Sequence, residues 1–233
     1  MTNHLRRMWG EVTSEDRELG ARSYPSYHAT LRGFAAFYGA PFVATVEAFA
    51  ALSPNNDYHG NLRSLASLLH ARARGRGIDS VVVSIYRACA ARAWSYLTGE
   101  VSFLDTVGGR KITAFRHNLL YPDTSKLVTV DGHMVSVWIG RELTMKQAVG
   151  HMTSKVYDAI ENDVRRLAKA EALAVPAVQA TLWVHRKRTR GILFDGQPGL
   201  FSGRGRWDGV CLAMDYPPFG DQADWRAWVR ARG

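Results

Sequence analysis

Apolar residues return every three or four positions through much of the chain, and this spacing predicts α-helices. One such stripe follows Pro41, a residue suited to the first turn of a helix. The stripes are Phe42, Val46, Phe49 and Ala50; Leu62, Leu65, Ala66 and Leu69; Ile78, Val81, Val82, Ile85 and Cys89; and Val156, Ile160, Val164 and Leu167. Pro176 opens a further helical segment. Strand patterns are weak and limited to KLVTV and GVCLAM. The sequence therefore predicts a mostly α-helical fold.

The bulk composition is that of a soluble globular protein. The chain has 233 residues, of which 46% are hydrophobic and 22% charged, enough to bury a sizeable core. Its apolar runs are too short for a membrane span and its N-terminus is too polar for a signal peptide. We therefore expect a cytoplasmic protein without a membrane partner.

Cysteine and histidine usage gives no sign of a metal or cofactor. Cys89 and Cys211 are too few for an iron–sulfur cluster, and Cys89 is expected in the core. The eight histidines lack metal-binding spacing. We expect no cofactor, no metal and no iron–sulfur cluster.

Charge is the strongest bulk signal. The chain carries 30 Lys and Arg against 21 Asp and Glu, a net charge of +9. Such a balance favours a polyanionic partner, with nucleic acid as the default, although a solvated basic surface has the same composition.

The texture of the sequence changes at Gly191. The segment GILFDGQPGLFSGRGRWDG is rich in glycine and aromatic residues, and the chain ends with ADWRAWVRARG. We expect a helical domain over residues 1–190 and an irregular extension over residues 191–233. That extension either packs on or beside the domain or binds nucleic acid.

The stretch DTVGGRKITAFRHNLLYPDTSKLVTVDGHMVSVW places one lysine and one aspartate at the starts of successive apolar segments. Gly108 and Gly109 permit a tight turn, and a glycine turn before a helix can also bind phosphate. Lys111 falls in the first turn of the predicted helix, where a partly buried amine can lose its proton and become a nucleophile. Asp131 suits the N-cap of the next helix, but its carboxylate can also move a proton or stabilise a cationic sugar.

The pair VSFLDTVGGRKITAF and LVTVDGHMV resembles the signature of the helix-hairpin-helix DNA glycosylases, the superfamily of endonuclease III and 8-oxoguanine glycosylase. In that family a glycine hairpin precedes the helix with the catalytic lysine, and a later V-D-x-H segment supplies the catalytic aspartate. Lys111 and the segment Val130-Asp131-Gly132-His133 stand at these places. The family hairpin usually reads glycine, hydrophobic, glycine, whereas this chain has Val107, Gly108 and Gly109.

Two flanking segments resemble the family in order and distance. AFAALSPNNDYHGNLRSLASLL is similar to the helix-break-helix whose polar residue fills the gap left by an extruded base, a role that would fall to Asn55 or Asn56. VPAVQATLWVHRKRTRG is similar to the late helix beside the active site. The resemblance covers roughly residues 40 to 190. The chain also resembles small proteins of actinobacterial phages with ALSP and VTVDGH segments, which implies the bacterial host's cytoplasm or nucleoid.

The resemblance implies a helix-hairpin-helix DNA glycosylase-like fold and a base-excising enzyme with AP lyase activity acting on double-stranded DNA. It assigns Lys111 as the nucleophile at C1′ and Asp131 as the acid/base and cation stabiliser. The implied DNA-binding residues are Asn55, Asn56, Gly108, Gly109, Arg110, His133, Arg186 and Lys187. Further candidates for phosphate contacts are Arg116, Arg188 and Arg190, and candidates for either base stacking or core packing are Tyr58, Trp138 and Trp183.

Two other functions fit the same residues. Some phage proteins resembling this superfamily are thought to modify thymine bases in DNA, and here Lys111 and Asp131 would then manage a substitution on the base. Alternatively, the chain is a non-catalytic DNA-binding module with a basic surface. The sequence predicts no particular oligomeric state, and it does not identify the substrate base.

Overall fold

A computed structural model describes residues 2–54, 56, 58–83, 85–106 and 109–190. These residues contain ten α-helices and two short 3-10 helices but no β-strand, which confirms the mostly α-helical prediction. None of the described helices is by itself long and apolar enough to cross a membrane. The helices Ser14–Phe37 and Phe42–Leu52, bent by 119° at their junction, are long and apolar enough only as a pair. The α-helices are α1 (Asn3–Glu11), α2 (Ser14–Phe37), α3 (Phe42–Leu52), α4 (Tyr58–Ala73), α5 (Arg87–Thr98), α6 (Gly109–Leu120), α7 (Gly132–Ile139), α8 (Met145–His151), α9 (Ser154–Ala170) and α10 (Val175–Thr189).

The described chain forms two compact units. The first unit comprises residues 2–28 and 109–190, and therefore α1, the beginning of α2, and α6 to α10. The second comprises the described residues from 29 to 106, with the end of α2 and α3 to α5. Among the predicted site residues, Asn55 and Gly108 lie outside the described residues, as does the predicted extension over residues 191–233.

The core of the first unit surrounds α7. Met134, Val135 and Val137 on this short helix are fully buried. The predicted stripe on α9 is confirmed, because Ile160, Val164, Leu167 and the partly buried Val156 pack in the same core. Since α7 is apolar on most of its surface and enclosed by neighbouring helices, its first residue is held in a defined place.

The second unit confirms two further stripes. Val46, Phe49 and Ala50 are buried on α3, and Leu62, Leu65, Ala66 and Leu69 are buried on α4. Helix α3 packs mainly against α5 and also against α4. The buried Asn61 amide donates to the Phe49 carbonyl at 3.1 Å, which ties α4 to α3.

The predicted helical stripe from Ile78 to Cys89 is wrong. Ile78–Ser80 is a single 3-10 turn, residues 81–83 are not helical, and α5 begins only at Arg87. Three consecutive valines lose side-chain freedom in a helix, and this lowers the helical propensity of the segment. Cys89 is consequently half-buried in the first turn of α5 and not in the core.

Helices α2 and α10 touch backbone to backbone in the first unit. A Cβ atom placed on Gly20 would lie 2.1 Å from Thr181 Oγ1 and 2.5 Å from the Thr181 backbone nitrogen. Glycine is therefore required at this crossing. The contact fixes α10, which carries the basic residues Arg186 and Lys187, against the beginning of α2.

Candidate functional site

Asp131 caps helix α7, as the sequence predicts. Its backbone is extended, with φ −112° and ψ −176°, and its Oδ1 atom accepts the Met134 backbone N–H at 2.9 Å. The side chain is partly exposed. Among the residues that the structure describes, none donates a hydrogen bond to its second oxygen, Oδ2. One carboxylate oxygen thus stabilises the helix and the other remains available to a ligand.

The segment that leads to Asp131 is held by buried polar side chains from α2, α6 and α10. The Asn118 amide donates to Thr129 Oγ1 at 3.1 Å. The Tyr24 hydroxyl lies 3.0 Å from the same oxygen and 2.8 Å from Gln179 Oε1. Each of these side chains is buried. A satisfied buried network of this kind fixes the backbone that it binds, here two residues before Asp131.

Lys111 lies in the first turn of α6, which confirms its predicted helical position. Gly109, the first residue of this helix, has φ +82°, in the left-handed region that favours glycine. The Lys111 side chain is half-buried. Its amine forms no hydrogen bond or ion pair with any described residue, and hence none with Asp131.

Three links join the Lys111 helix to the segment that ends at Asp131. His117 Nδ1 lies 2.9 Å from Ser125 Oγ, and Asn118 binds Thr129. Near the start of α6, the Arg110 guanidinium lies 4.1 Å from the ring centre of Tyr157, and the Tyr157 hydroxyl donates to the carbonyl of Val128 at 3.1 Å. The end of α6 is therefore linked directly to Ser125 and Thr129, whereas its start is linked to Val128 through Tyr157.

Helix α6 places Lys111, Phe115 and Asn118 on one face, because they are four and then three positions apart. On that face the Phe115 ring meets Tyr24 edge-on, with 6.2 Å between ring centres. Burial raises the pKa of Tyr24 to about 12, and the nearby charge of Asp131 acts in the same direction. The Lys111 face of α6 and the Asp131 carboxylate thus share Tyr24 as a neighbour.

Basic residues at the end of α10 lie around the start of α7. Burial lowers the pKa of His133; the charge of Asp131 opposes this effect, whereas Lys187, Arg186 and Arg190 add to it. Arg186 is only 6% exposed, and its Nε and Nη2 atoms have no hydrogen-bond partner among the described residues. Burial and Arg190 lower the pKa of Arg186, while Glu142 and Asp131 act in the opposite direction. The first turn of α7 therefore lies in a positive field.

A protein-family model described as a family of unknown function, DUF7178, matches residues 1–190. The chain belongs to this family. The match includes Lys111, Asp131 and Arg186 and both units described above. Neither the curated proteins nor the solved structures contain a match to this DUF7178 chain.

The remaining predicted DNA-binding residues of the DUF7178 chain have varied surroundings. Arg110 pairs with Asp158 at 2.6 Å and with Glu161 at 3.0 Å. Arg188 binds Asp16 through two hydrogen bonds of 2.7 Å. Their roles in DNA binding stay predictions. Each of these arginines already pairs with a carboxylate, with which a DNA phosphate would have to compete.

Other predicted contacts are with neighbouring side chains or backbone. Asn56 belongs to the second unit, where its amide donates to the Leu52 carbonyl at 3.4 Å. The Trp138 indole donates to Asp163 at 3.0 Å, and the Lys187 amine lies 3.7 Å from the Trp183 ring centre. Tyr58 meets Phe49 edge-on at 6.1 Å. Base stacking by these aromatics stays a prediction.

Sequence reasoning missed the buried polar residues that hold the site of this DUF7178 chain. These residues are Tyr24, Asn118, Thr129, Tyr157 and Gln179. One signal was present for Asn118, a polar residue in helical register with Ala114 and Phe115 on an inward face. The others belong to separate helices and segments, and only the tertiary fold brings them together.

Proposed function

We propose that this chain is a DNA glycosylase with AP lyase activity, which flips a damaged or modified nucleotide out of double-stranded DNA and removes its base. One observation carries the proposal. The half-buried amine of Lys111 has no partner among the described residues, and other side chains of the same helix hold the segment that ends at Asp131, one of whose oxygens accepts no hydrogen bond from a described residue. An amine and a carboxylate are the two groups that covalent base excision requires.

The reaction begins when Asp131 accepts a proton from the Lys111 ammonium. The neutral amine attacks C1′ of the flipped nucleotide, the glycosidic bond breaks, and the base leaves with the bonding electron pair. The base takes the proton that Asp131 accepted from Lys111, which returns Asp131 to its carboxylate form. Asp131 stabilises the positive charge that develops on the sugar. Opening of the sugar ring then gives a Schiff base on Lys111, from which loss of the C2′ proton expels the 3′ phosphate and cleaves the strand.

The availability of Asp131 Oδ2 supports this role. An N-cap carboxylate is held in place by its hydrogen bond to the helix, here from Oδ1 to Met134. Its other oxygen, Oδ2, accepts no hydrogen bond from a described residue and can accept one from a substrate while Oδ1 keeps the side chain in place. The cations Arg186 and Lys187 on the neighbouring α10 support binding of the DNA backbone, which makes affinity strongly dependent on salt.

A screen of oligonucleotides that carry lesions or phage-type modified bases tests the proposal. The assays are release of free base and covalent trapping with borohydride. Both signals are expected for at least one substrate, and Lys111→Ala is expected to lose the trapped adduct.

Lys155→Ala is the matched control, because Lys155 also lies in the first turn of a helix of the same unit but is exposed. An adduct that persists in Lys111→Ala refutes the assignment of the nucleophile. An altered nucleoside without free base would instead indicate the base-modifying enzyme, and binding without any chemistry would indicate a DNA-binding module.

A further inference from the structure

Arg186 has an unusual environment for an arginine. The residue is 6% exposed, yet within the part of the chain that the structure describes Nε and Nη2 have no hydrogen-bond partner. Buried donors are nearly always paired, because an unpaired donor loses its hydration without compensation. A buried guanidinium with two unpaired donors therefore points to a missing acceptor.

The two unpaired atoms form one edge of the guanidinium. Nε and Nη2 present parallel N–H bonds, and this edge recognises two oxygens of a carboxylate or phosphate at once. Arg188, one helical half-turn away on α10, shows the occupied form of the edge. Its Nε and Nη2 each lie 2.7 Å from an oxygen of Asp16.

The surrounding charges favour an anion with more than one negative oxygen. The charges of Lys187 and Arg190 lower the pKa of His133, and the charge of Arg190 also lowers the pKa of Arg186. The carboxylates near Arg186 are Glu142, which pairs with Arg190, and Asp131, whose Oδ1 caps α7. Glu142 is thus engaged by Arg190 and Asp131 by the start of α7, and no described carboxylate forms a hydrogen bond with Arg186 Nε or Nη2.

We propose that the unpaired edge of Arg186 binds a phosphate group, with Lys187 and Arg190 adding to the positive field beside the first turn of α7. The assignment of that phosphate to the backbone of DNA rests on the proposed function, whereas the phosphate site itself rests only on the arrangement around Arg186. In the free protein the buried Arg186 guanidinium has no hydrogen-bonded acceptor for Nε and Nη2 among the described residues, although the charges of Glu142 and Asp131 act on it. We therefore expect the free protein to be less stable than a variant with an apolar side chain of similar size at this position.

Thermal unfolding with inorganic phosphate, compared with chloride at the same ionic strength, tests the site. Phosphate is expected to raise the Tm of the full chain, because a ligand that binds only the folded state stabilises it. Arg186→Met is expected to lose this increase and, without phosphate, to melt at or above the wild-type temperature. Arg186→Lys keeps the positive charge but lacks the two parallel N–H donors. This variant is expected to lose most of the phosphate-dependent increase in Tm.

Arg22→Gln is the matched control, since Arg22 is an exposed arginine of the same unit. It is expected to keep the full increase. The phosphate site is refuted if phosphate does not raise the wild-type Tm, or if Arg186→Met fails to fold or melts several degrees below wild type, which would indicate a structural arginine.

DNA binding then identifies the source of the phosphate. If the backbone of DNA supplies it, Arg186→Met weakens duplex binding at least tenfold and reduces the slope of log affinity against log salt by about one. If Arg186→Met loses the phosphate effect but binds DNA like wild type, the site stands and takes a free phosphate compound. Neither readout needs base release, so failure of the glycosylase proposal and failure of the phosphate site are separate outcomes.

Discussion

The Arg110 guanidinium lies 4.1 Å from the centre of the Tyr157 ring, and this contact joins the start of α6 to the core beneath Asp131. The Tyr157 hydroxyl continues the connection, because it donates to the Val128 carbonyl at 3.1 Å. Arg110 precedes Lys111 and Val128 lies three residues before Asp131. One aromatic ring therefore connects the neighbourhoods of both proposed catalytic residues.

Tyr157→Phe is expected to impair turnover more than folding. The substitution keeps the ring under Arg110 but removes the hydroxyl that holds Val128, which costs about 1 kcal/mol of stability. We expect the rate of base release to fall about tenfold, because small misplacement of a reacting group is costly, with DNA affinity unchanged. Single-turnover rates and duplex binding check this. Tyr86→Phe, an exposed tyrosine at 66%, is the control, and equal rates in the two variants would exclude a positioning role for Tyr157.

Asp131→Asn separates helix capping from catalysis. Asparagine caps a helix as well as aspartate does, so the free energy of unfolding is expected to change by less than about 1 kcal/mol. Base release is expected to become undetectable because an amide neither accepts the lysine proton nor stabilises the sugar cation. The measurements are base release and Tm in the same preparation. Full activity in a normally folded Asp131→Asn protein would leave the residue with a capping role alone.

Asp16 is expected to make stability depend on acid pH. Its buried carboxylate accepts hydrogen bonds from His185, Arg188 and the Thr13 backbone. Burial acts to raise the pKa of Asp16, but the hydrogen bonds outweigh it and hold the pKa well below its usual range. The carboxylate therefore contributes its full stabilisation above its unfolded pKa of about 4 and loses it as pH falls below that value.

Denaturant unfolding of wild type and Asp16→Asn between about pH 7 and pH 3 measures this contribution. The variant is expected to be less stable at neutral pH by about 3 kcal/mol, since it leaves Arg188 and His185 without their carboxylate. The difference should shrink toward the acid end. The exposed Asp123→Asn serves as control, and a difference that stays constant across the range would contradict the depressed pKa.

Gly20→Ala is expected to destabilise the protein by about 2 kcal/mol, because its Cβ atom has no space against Thr181 and the two helices must separate. Gly10→Ala is a matched control, since Gly10 is also inside a helix but has no atom within 4 Å of an added Cβ. The control should gain up to about 1 kcal/mol from helix propensity. Equal effects in the two variants would contradict the close α2–α10 crossing.

Local patterns predicted α3, α4 and α9, because their apolar stripes depend only on spacing, whereas α1, α2 and α8 were not predicted. The N-cap role of Asp131 and the first-turn position of Lys111 were equally local. The prediction of a helix from Ile78 to Cys89 was wrong, because the spacing of the apolar residues was helical while three consecutive valines disfavoured a helix. Spacing cannot predict the Gly20 crossing or the unpaired edge of Arg186, since both depend on how α10 packs against other helices.

Locating the trapped adduct tests the central claim most directly. The wild-type protein is incubated with a substrate from the oligonucleotide screen, reduced with borohydride and digested, and the modified peptide is sequenced by mass spectrometry. The account predicts that the reduced sugar is attached to Lys111. A protein that releases base and carries the adduct on another lysine, with Lys111 unmodified, would contradict it.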